Sequence, residues 1–389
     1  MYHYPEPYLY SDKFWVFRLT NNLLFLEMTN VLFESIQLRD LELKNRIMLS
    51  PMCQYAATSG CASDWHLMHL GQFMVSGVGL MMIEMTNVQA RGRITPHCLG
   101  LFDDHCEVAL KRVVDYCRQL STTPIAIQLA HAGRKGSSSP PWQGRKRISP
   151  DSGGWQTVGP SPISHSDRIP VPMELSVGEI GDLVDDFVAS ARRADRIGID
   201  AIELHGAHGY LLHQFLSPLA NQRDDEFGGS PENRMRLPLR IFDAVRDVWP
   251  EHKPLGMRLS GIDWAENGIR IEDTVAMSTA LKLKGCDWVD ISSGGISYSE
   301  EISTGPGYQV PFAQQIRAET EMTTIAVGMI TDPHQAEAIV ANGQADMVAL
   351  ARGLLFNPRW PWHAAIALGV ELEYPDRYQR CAPTNMNPF

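Results

Sequence analysis

The stretch Asp200-Ala201-Ile202-Glu203-Leu204-His205-Gly206-Ala207-His208-Gly209-Tyr210 starts as a short apolar strand and runs into a loop that carries two imidazoles and a phenol. In parallel α/β proteins chemistry gathers where strands end. Two histidines three residues apart can converge on one oxygen atom, and a tyrosine close by is a neutral proton donor of high pKa. The combination predicts a site that polarises a carbonyl and delivers a proton.

Working outward, the same rhythm recurs. Short apolar runs at 46–52, 79–85, 124–129, 200–204, 254–259, 288–291, 324–327 and 347–351 are expected strands. Stretches of helical spacing at 107–119, 177–197, 232–248, 271–284, 310–319 and 333–342 lie between them. Eight strands alternating with helices predict a (β/α)8 TIM barrel, with a doubly wound sheet as the second choice. Residues 35–43 alternate around Arg39-Asp40 and are expected to form an N-terminal β-hairpin plug. Residues 136–172, rich in Gly, Ser and Pro, are too long for a connector and are expected to be an ordered excursion after the third strand, over the C-terminal face.

At 389 residues the chain fits one barrel domain, taken as 31–389. Residues 1–30 show no periodicity that joins them to it and are expected to be a loosely packed extension, with Met28 as the natural start. Arg18, Asn21 and Asn22 break the apolar run there, so it is neither a signal peptide nor a membrane span. A net charge of −11 repels phosphate backbones and anionic lipid, which argues against nucleic acid and membranes as partners. The 7 cysteines are scattered without a C-x-x-C pair, so no zinc knuckle, iron–sulfur cluster or disulfide framework is expected. A cytoplasmic location fits.

The residues that close the strands carry the cofactor signal: Ser50-Pro51-Met52-Cys53, Gln128, His205, Arg258, Gly328 and Arg352-Gly353. A flavin needs such a set, because its reduced form carries negative charge that a guanidinium can stabilise, and a glutamine amide matches its pyrimidine edge. For Arg258 a structural salt bridge stands as an equal alternative. Gly328 and Arg352-Gly353 end the last two strands, where barrels bind phosphate, although a lone Gly is often only a turn residue. Cys53 is either inert packing or a cofactor contact. His205 and His208 could be metal ligands, but there is no HExxH spacing and no clustered carboxylate. A metal-dependent barrel hydrolase and a non-catalytic phosphate-ligand-binding barrel remain the rival readings.

Further motifs identify a family resemblance. Lys44-Asn45-Arg46-Ile47, Pro51-Met52-Cys53-Gln54-Tyr55, Gln128-Leu129-Ala130-His131-Ala132-Gly133-Arg134-Lys135, His205-Gly206-Ala207-His208-Gly209-Tyr210, Gly228-Gly229-Ser230-Pro231-Glu232-Asn233-Arg234 and Ser292-Ser293-Gly294-Gly295 together resemble the old yellow enzyme family of FMN-dependent ene-reductases, in its thermophilic-like class. The resemblance implies that Pro51, Met52, Cys53, Gln128, Arg258, Gly328, Arg352 and Gly353 hold FMN, with Met85 beside it. It implies that His205 and His208 bind a substrate carbonyl, that Tyr210 is the proton donor, that Cys53 tunes the flavin, and that Tyr55 and Lys135 line the pocket. Arg380 is implied to reach the neighbouring site of a homodimer or dimer of dimers. NADPH or NADH is the implied hydride donor, an activated alkene the acceptor, and the kinetics ping-pong. Met85 in place of a small residue, Gly206 in place of alanine, and Asp224 and Phe227 in place of Thr and Tyr depart from the family pattern.

Overall fold

In the computed structural model, which describes residues 10–11, 14–19, 22–27, 30–166 and 169–383, eight parallel strands close into a barrel. They are β1 (Ile47–Leu49), β2 (Leu80–Asn87), β3 (Ile125–Ala130), β4 (Ala201–Gly206), β5 (Leu255–Ser260), β6 (Val289–Ser292), β7 (Thr324–Ala326) and β8 (Met347–Leu350), each hydrogen-bonded to its neighbours in sequence order and β8 to β1. All eight expected strands are present, and the doubly wound alternative is excluded by the closure. The main helices are α1 (Asp64–Met74), α2 (Asp104–Leu120), α3 (Val177–Arg196), α4 (Leu211–Leu216), α5 (Pro231–Val248), α6 (Ile271–Leu283), α7 (Val310–Thr320), α8 (Pro333–Ala341), α9 (Arg352–Phe356) and α10 (Trp360–Leu368).

Side chains one residue apart on a strand face opposite ways, so each barrel strand divides its sequence between two cores. Ile47, Leu49, Met81, Ile83, Ile127, Leu204, Met257, Val289 and Val348 join the outer core, which packs against the helices. Their neighbours Met48, Leu80, Met82, Ala126, Ala201, Trp288, Ile325 and Met347 fill the barrel's lower interior. Trp288 is fully buried there, and a Cβ on Gly256 would lie 2.1 Å from its ring, so this strand position has room only for glycine. The expected hairpin pairs Ile36–Leu38 with Leu41–Leu43, and Leu38 and Leu43 close the same apolar layer from below.

Helix ends follow local chemistry. Ser176 and Glu179 form a reciprocal capping box at α3, Asp103 caps α2 by accepting from Cys106 N, and Ser230 and Asp332 each cap a helix that opens with proline. The excursion is built from short 3-10 turns and a two-residue parallel pairing of Val158–Gly159 with Met173–Glu174. In the leading segment Tyr10–Ser11, Phe14–Leu19 and Asn22–Glu27 trace an antiparallel three-stranded ribbon. Expectations about its packing and about Met28 lie outside the described residues. No described helix is long and apolar enough to cross a membrane, and all seven cysteines are free thiols.

Candidate active site

Above the apolar layer, the inward positions of the strands turn polar, and strand register decides who meets whom. Glu203 lies level with Gln128, His205 with Arg258, Arg258 with Asp290, and Ser260 with Ser292. A run of groups unlike any other layer of the barrel results: Gln128 Nε2 donates to Glu203 (2.8 Å), Trp288 Nε1 donates to the other Glu203 oxygen (3.2 Å), and Arg258 Nε stands 3.2 Å from Asp290. Burial, helped by the nearby Asp290 charge, pushes the Glu203 carboxyl up to about 8, and burial likewise raises Asp290. One guanidinium therefore stands among carboxyls that resist ionisation.

The loops after the strands are fixed by contacts far apart in sequence. Ser50 Oγ accepts from Arg258 Nη1 (3.3 Å) just before Pro51, Met52 and Cys53. Glu84 accepts from Gln54 N (2.9 Å) and lies 3.3 Å from His66 Nε2, which ties the Cys53–Tyr55 turn to the end of β2 and to α1. A break in register between Ile83 and Thr86 follows Glu84, and Met85 packs into a small apolar cluster with Ala130, Ala132, Cys53 and Tyr210. A hydrogen bond with the neighbouring Cys98 thiol, and then burial, push the Cys53 thiol well up, so it is a thiol rather than a thiolate at neutral pH.

His208 has φ +58, a left-handed conformation that costs a side-chain-bearing residue strain. Two clamps hold it: its N–H donates to Ser260 Oγ (3.0 Å), and its carbonyl accepts from Lys135 Nζ (2.8 Å), which also donates to Gly295 O (2.8 Å). The next residue, Gly209, could carry no side chain, since a Cβ there would lie 1.9 Å from Gly295 O. Gly209 N–H donates to His213 Nδ1 (2.8 Å), and His213 Nε2 donates to the buried Asp263 (2.8 Å). Gly206, where the family pattern has alanine, matches a close approach of Met257 Cε, 2.4 Å from where a Cβ would stand.

The His205 ring meets those of His208 and Tyr210 edge-on at 5.1 and 5.0 Å. Its Nδ1 accepts from Ala207 N–H (3.3 Å), which leaves the proton on Nε2. His208 Nε2 pairs with Ser292 Oγ at 2.6 Å. Burial first, and the Arg258 charge second, hold both imidazoles well below the usual histidine range, while burial raises the Tyr210 phenol well above 10. At neutral pH all three are uncharged hydrogen donors.

Two cavities open at this mouth. One, of about 310 Å³, is lined by Tyr55, Lys135 and Tyr210 together with residues of the excursion and of the loop after β6. The other, of about 610 Å³, is lined by Ser292, Gln309, Gly328, Arg352, Gly353 and the first turns after β7 and β8. Gln128, His205 and Arg258 lie within the last three residues of β3, β4 and β5, toward the same mouth, so the barrel brings together every candidate of the sequence analysis except Arg380. Arg380 sits on an exposed 3-10 segment, Asp376–Cys381, that Tyr378 anchors edge-on against Trp362 (5.7 Å), and it lines neither cavity. Ser292 was quoted from sequence only within a motif, without a role, and Ser260, Glu203, Asp290 and the His213–Asp263 pair were given none. Ser292, Ser260, Glu203 and Asp290 occupy inward positions that strict alternation along β4, β5 and β6 would have revealed.

The donor set suits a flavin mononucleotide. Arg258 Nη2 forms no hydrogen bond and Gln128 Oε1 accepts none among the described residues, so a guanidinium N–H and an amide oxygen remain for the ring edge. Gly328, at φ +132, and Gly353 line the larger cavity together with Arg352, the residue types a phosphate site uses. No group of three or more potential metal ligands occurs among the described residues.

A closed barrel with this polar mouth defines the class, a (β/α)8 barrel whose donor set suits a flavin. A family model described as the NADH:flavin oxidoreductase / NADH oxidase family matches residues 31–370, and the chain belongs to that family, whose members are flavoenzymes of old yellow enzyme type. It is similar to an NADPH dehydrogenase of Geobacillus thermodenitrificans strain NG80-2, with 43% identity over 355 residues, 91% of this chain and 99% of that one. A NADH:flavin oxidoreductase of Gibberella zeae is 42% identical over 359 residues, 88% of this chain and 86% of that one. The structure of morphinone reductase in complex with tetrahydroNAD superposes with a TM-score of 0.72 at 27% identity, covering 92% and 94% of the two chains. The protein is an NAD(P)H-dependent flavin oxidoreductase, and FMN is its cofactor.

Proposed function

We propose that the protein reduces the activated C=C bond of α,β-unsaturated carbonyl compounds and related electron-poor alkenes, in a ping-pong cycle with NADPH or NADH. The observation that carries this reading is a pair of uncharged imidazoles at the barrel mouth, His205 buried and His208 half-buried, with the His205 ring edge-on both to His208 and to the protonated Tyr210 phenol. When bound, FMN supplies the hydride relay between nicotinamide and alkene. Gln128 and Arg258 would hold its pyrimidine edge, Gly328, Arg352 and Gly353 its phosphate, and Pro51, Met52, Cys53 and Met85 the ring.

His205 Nε2–H and His208 hold the substrate's carbonyl oxygen. Where the Ser292 hydroxyl donates to His208 Nε2 rather than to Gln309 Oε1, the His208 proton lies on Nδ1 and completes the pair of donors. Both strengthen as negative charge develops on that oxygen, which is the condition for lowering a barrier rather than only binding. Tyr210 delivers the proton to the α-carbon, with Tyr55 and Lys135 shaping the pocket. A homodimer, or a dimer of dimers, in which Arg380 reaches the neighbouring cleft, fits that residue's place outside its own cavities. A reducing cytoplasm suits seven free thiols, two of which, Cys61 and Cys106, stand with Sγ atoms 3.9 Å apart.

Stopped-flow measurement of the two half-reactions of His208→Ala tests the assignment. Reoxidation by an enone is expected to slow about a hundredfold, the usual cost of one oxyanion donor, with flavin reduction by NADPH affected far less. Equal losses in both halves would contradict it.

A further inference from the structure

Three cations line the smaller cavity: Lys135, Arg145 and Arg147. Two of them are committed to the protein. Lys135 Nζ is spent on the carbonyls of His208 and Gly295, and Arg147 donates to the carbonyls of Gly136 and Trp155 and to Thr157 Oγ1. The Arg145 guanidinium has neither a hydrogen bond nor an ion pair among the described residues, and its backbone is held at φ +52 in the turn that follows Gly144. No Asp or Glu among the described residues lines the cavity. Glu300, which stands close enough to act on Lys135, has its carboxylate taken up by the backbone N–H groups of Gly295 and Ser297 (both 2.8 Å).

An unspent positive charge in a chain of net charge −11 is local in origin, and its position ties it to the reacting end of the cleft. Arg145 opposes the burial-driven rise of both the Tyr55 and the Tyr210 phenols, so its charge is felt at both rings. The cavity mouth also carries two exposed rings: Trp142, edge-on to Tyr55 at 5.7 Å, and Tyr298, edge-on to His165 at 5.0 Å. Burial lowers His165 to about 3, so it is neutral and adds no charge. A cation that lacks an acid, in a cavity lined also by Tyr55, Tyr210 and Tyr298, fits a small organic anion better than a bare inorganic ion.

We propose that Arg145 forms an anion subsite of the substrate cleft and that the preferred alkenes carry a carboxylate remote from the carbonyl held by His205 and His208. This rests on the ene-reduction reading. A coenzyme phosphate is the other source of an anion here, but it hangs from the nicotinamide by a ribose, whereas Arg145 lines the same cavity as Tyr55 and Tyr210.

The test uses holoenzyme reduced with dithionite under anaerobic conditions, then reoxidised by a cyclohexenone bearing a carboxymethyl group or by its methyl ester. The wild type is expected to react faster with the acid, and Arg145→Gln to lower the acid-to-ester rate ratio about tenfold, the worth of a charge-assisted hydrogen bond discounted for a solvent-facing guanidinium. Arg145→Lys should restore most of that ratio, and added salt should lower it in the wild type. Equal rates for acid and ester in the wild type would overturn the proposal. So would a loss in Arg145→Gln confined to the separately measured reduction by NADPH, which would assign Arg145 to the coenzyme. Failure of both acceptors to reoxidise the wild-type flavin would instead remove the ene-reduction reading beneath it.

Discussion

Arg258 is placed to do two jobs, and a pair of variants separates them. Its Nε lies 3.2 Å from Asp290, with 6% and 0% of the two side chains exposed. Arg258→Met removes the guanidinium of the layer and leaves Asp290 buried without a partner, a change that typically costs about 3–5 kcal/mol. Because burial already raises Asp290, part of that cost is met by protonation, and the lower end applies. For a domain of this size about 3 kcal/mol corresponds to a fall in melting temperature of roughly 4 °C. Arg258→Met combined with Asp290→Leu replaces the whole pair with apolar groups and should return stability to within about 1 kcal/mol of the wild type. Flavin affinity should not return, since the N–H donor for the anionic ring edge is still missing, and it should stay about 10–100-fold weaker. Urea denaturation of the apo-protein reads the first quantity, because bound FMN would add its own stabilisation. Fluorescence titration with FMN reads the second. If the double variant recovers both, Arg258 is only half of a structural ion pair, and the cofactor role assigned to it is wrong.

Gly295→Ala would place a Cβ 2.5–2.6 Å from the His208 backbone at φ +93, so thermal denaturation should show a loss of at least about 2 kcal/mol. Met85→Ala empties the apolar cluster with Ala130 and Ala132 and should cost about 2–4 kcal/mol of apo-protein stability; an unchanged urea midpoint would mean that Met85 is not packed as described. Burial lowers Lys135 to about 8, below its value of ~10.4 in the unfolded chain, so between these two values the unfolded state binds more protons. Wild-type stability should therefore rise relative to Lys135→Met as pH increases through that window, by at most ~1.4 kcal/mol per pH unit, with a constant offset below about pH 8. Paired urea titrations at pH 7 and 9.5 measure the difference.

The barrel was legible because its strands are buried on both faces and read as unbroken apolar runs, and because α3 and α5 repeat apolar residues at helical spacing. Helix α1 was not among the helices expected, since its buried face includes His66 and His69, which interrupt the apolar stripe. α4 and α9, of 6 and 5 residues, are too short to show a helical period, and α10 is apolar nearly all round, so it shows no polar face. Within the site, His205, Arg258 and Gln128 were legible as strand-end residues. Their partners were not, because the pairings that fix them span long stretches of chain: Lys135 to His208 and Gly295, Glu84 to Gln54, and His208 to Ser292. Such contacts follow from closing the barrel, and no local pattern encodes them. Arg145 carried no signal at all, since a lone arginine in a Gly- and Pro-rich loop reads as surface.

The central claim is that one cleft binds FMN and hands its hydride to an alkene held by His205 and His208. Mixing the NADPH-reduced holoenzyme anaerobically with 2-cyclohexenone, while following the blue absorbance of the flavin, tests it most directly. The account predicts full return of the oxidised spectrum with one enone consumed per flavin; a flavin that stays reduced until oxygen is admitted would contradict it.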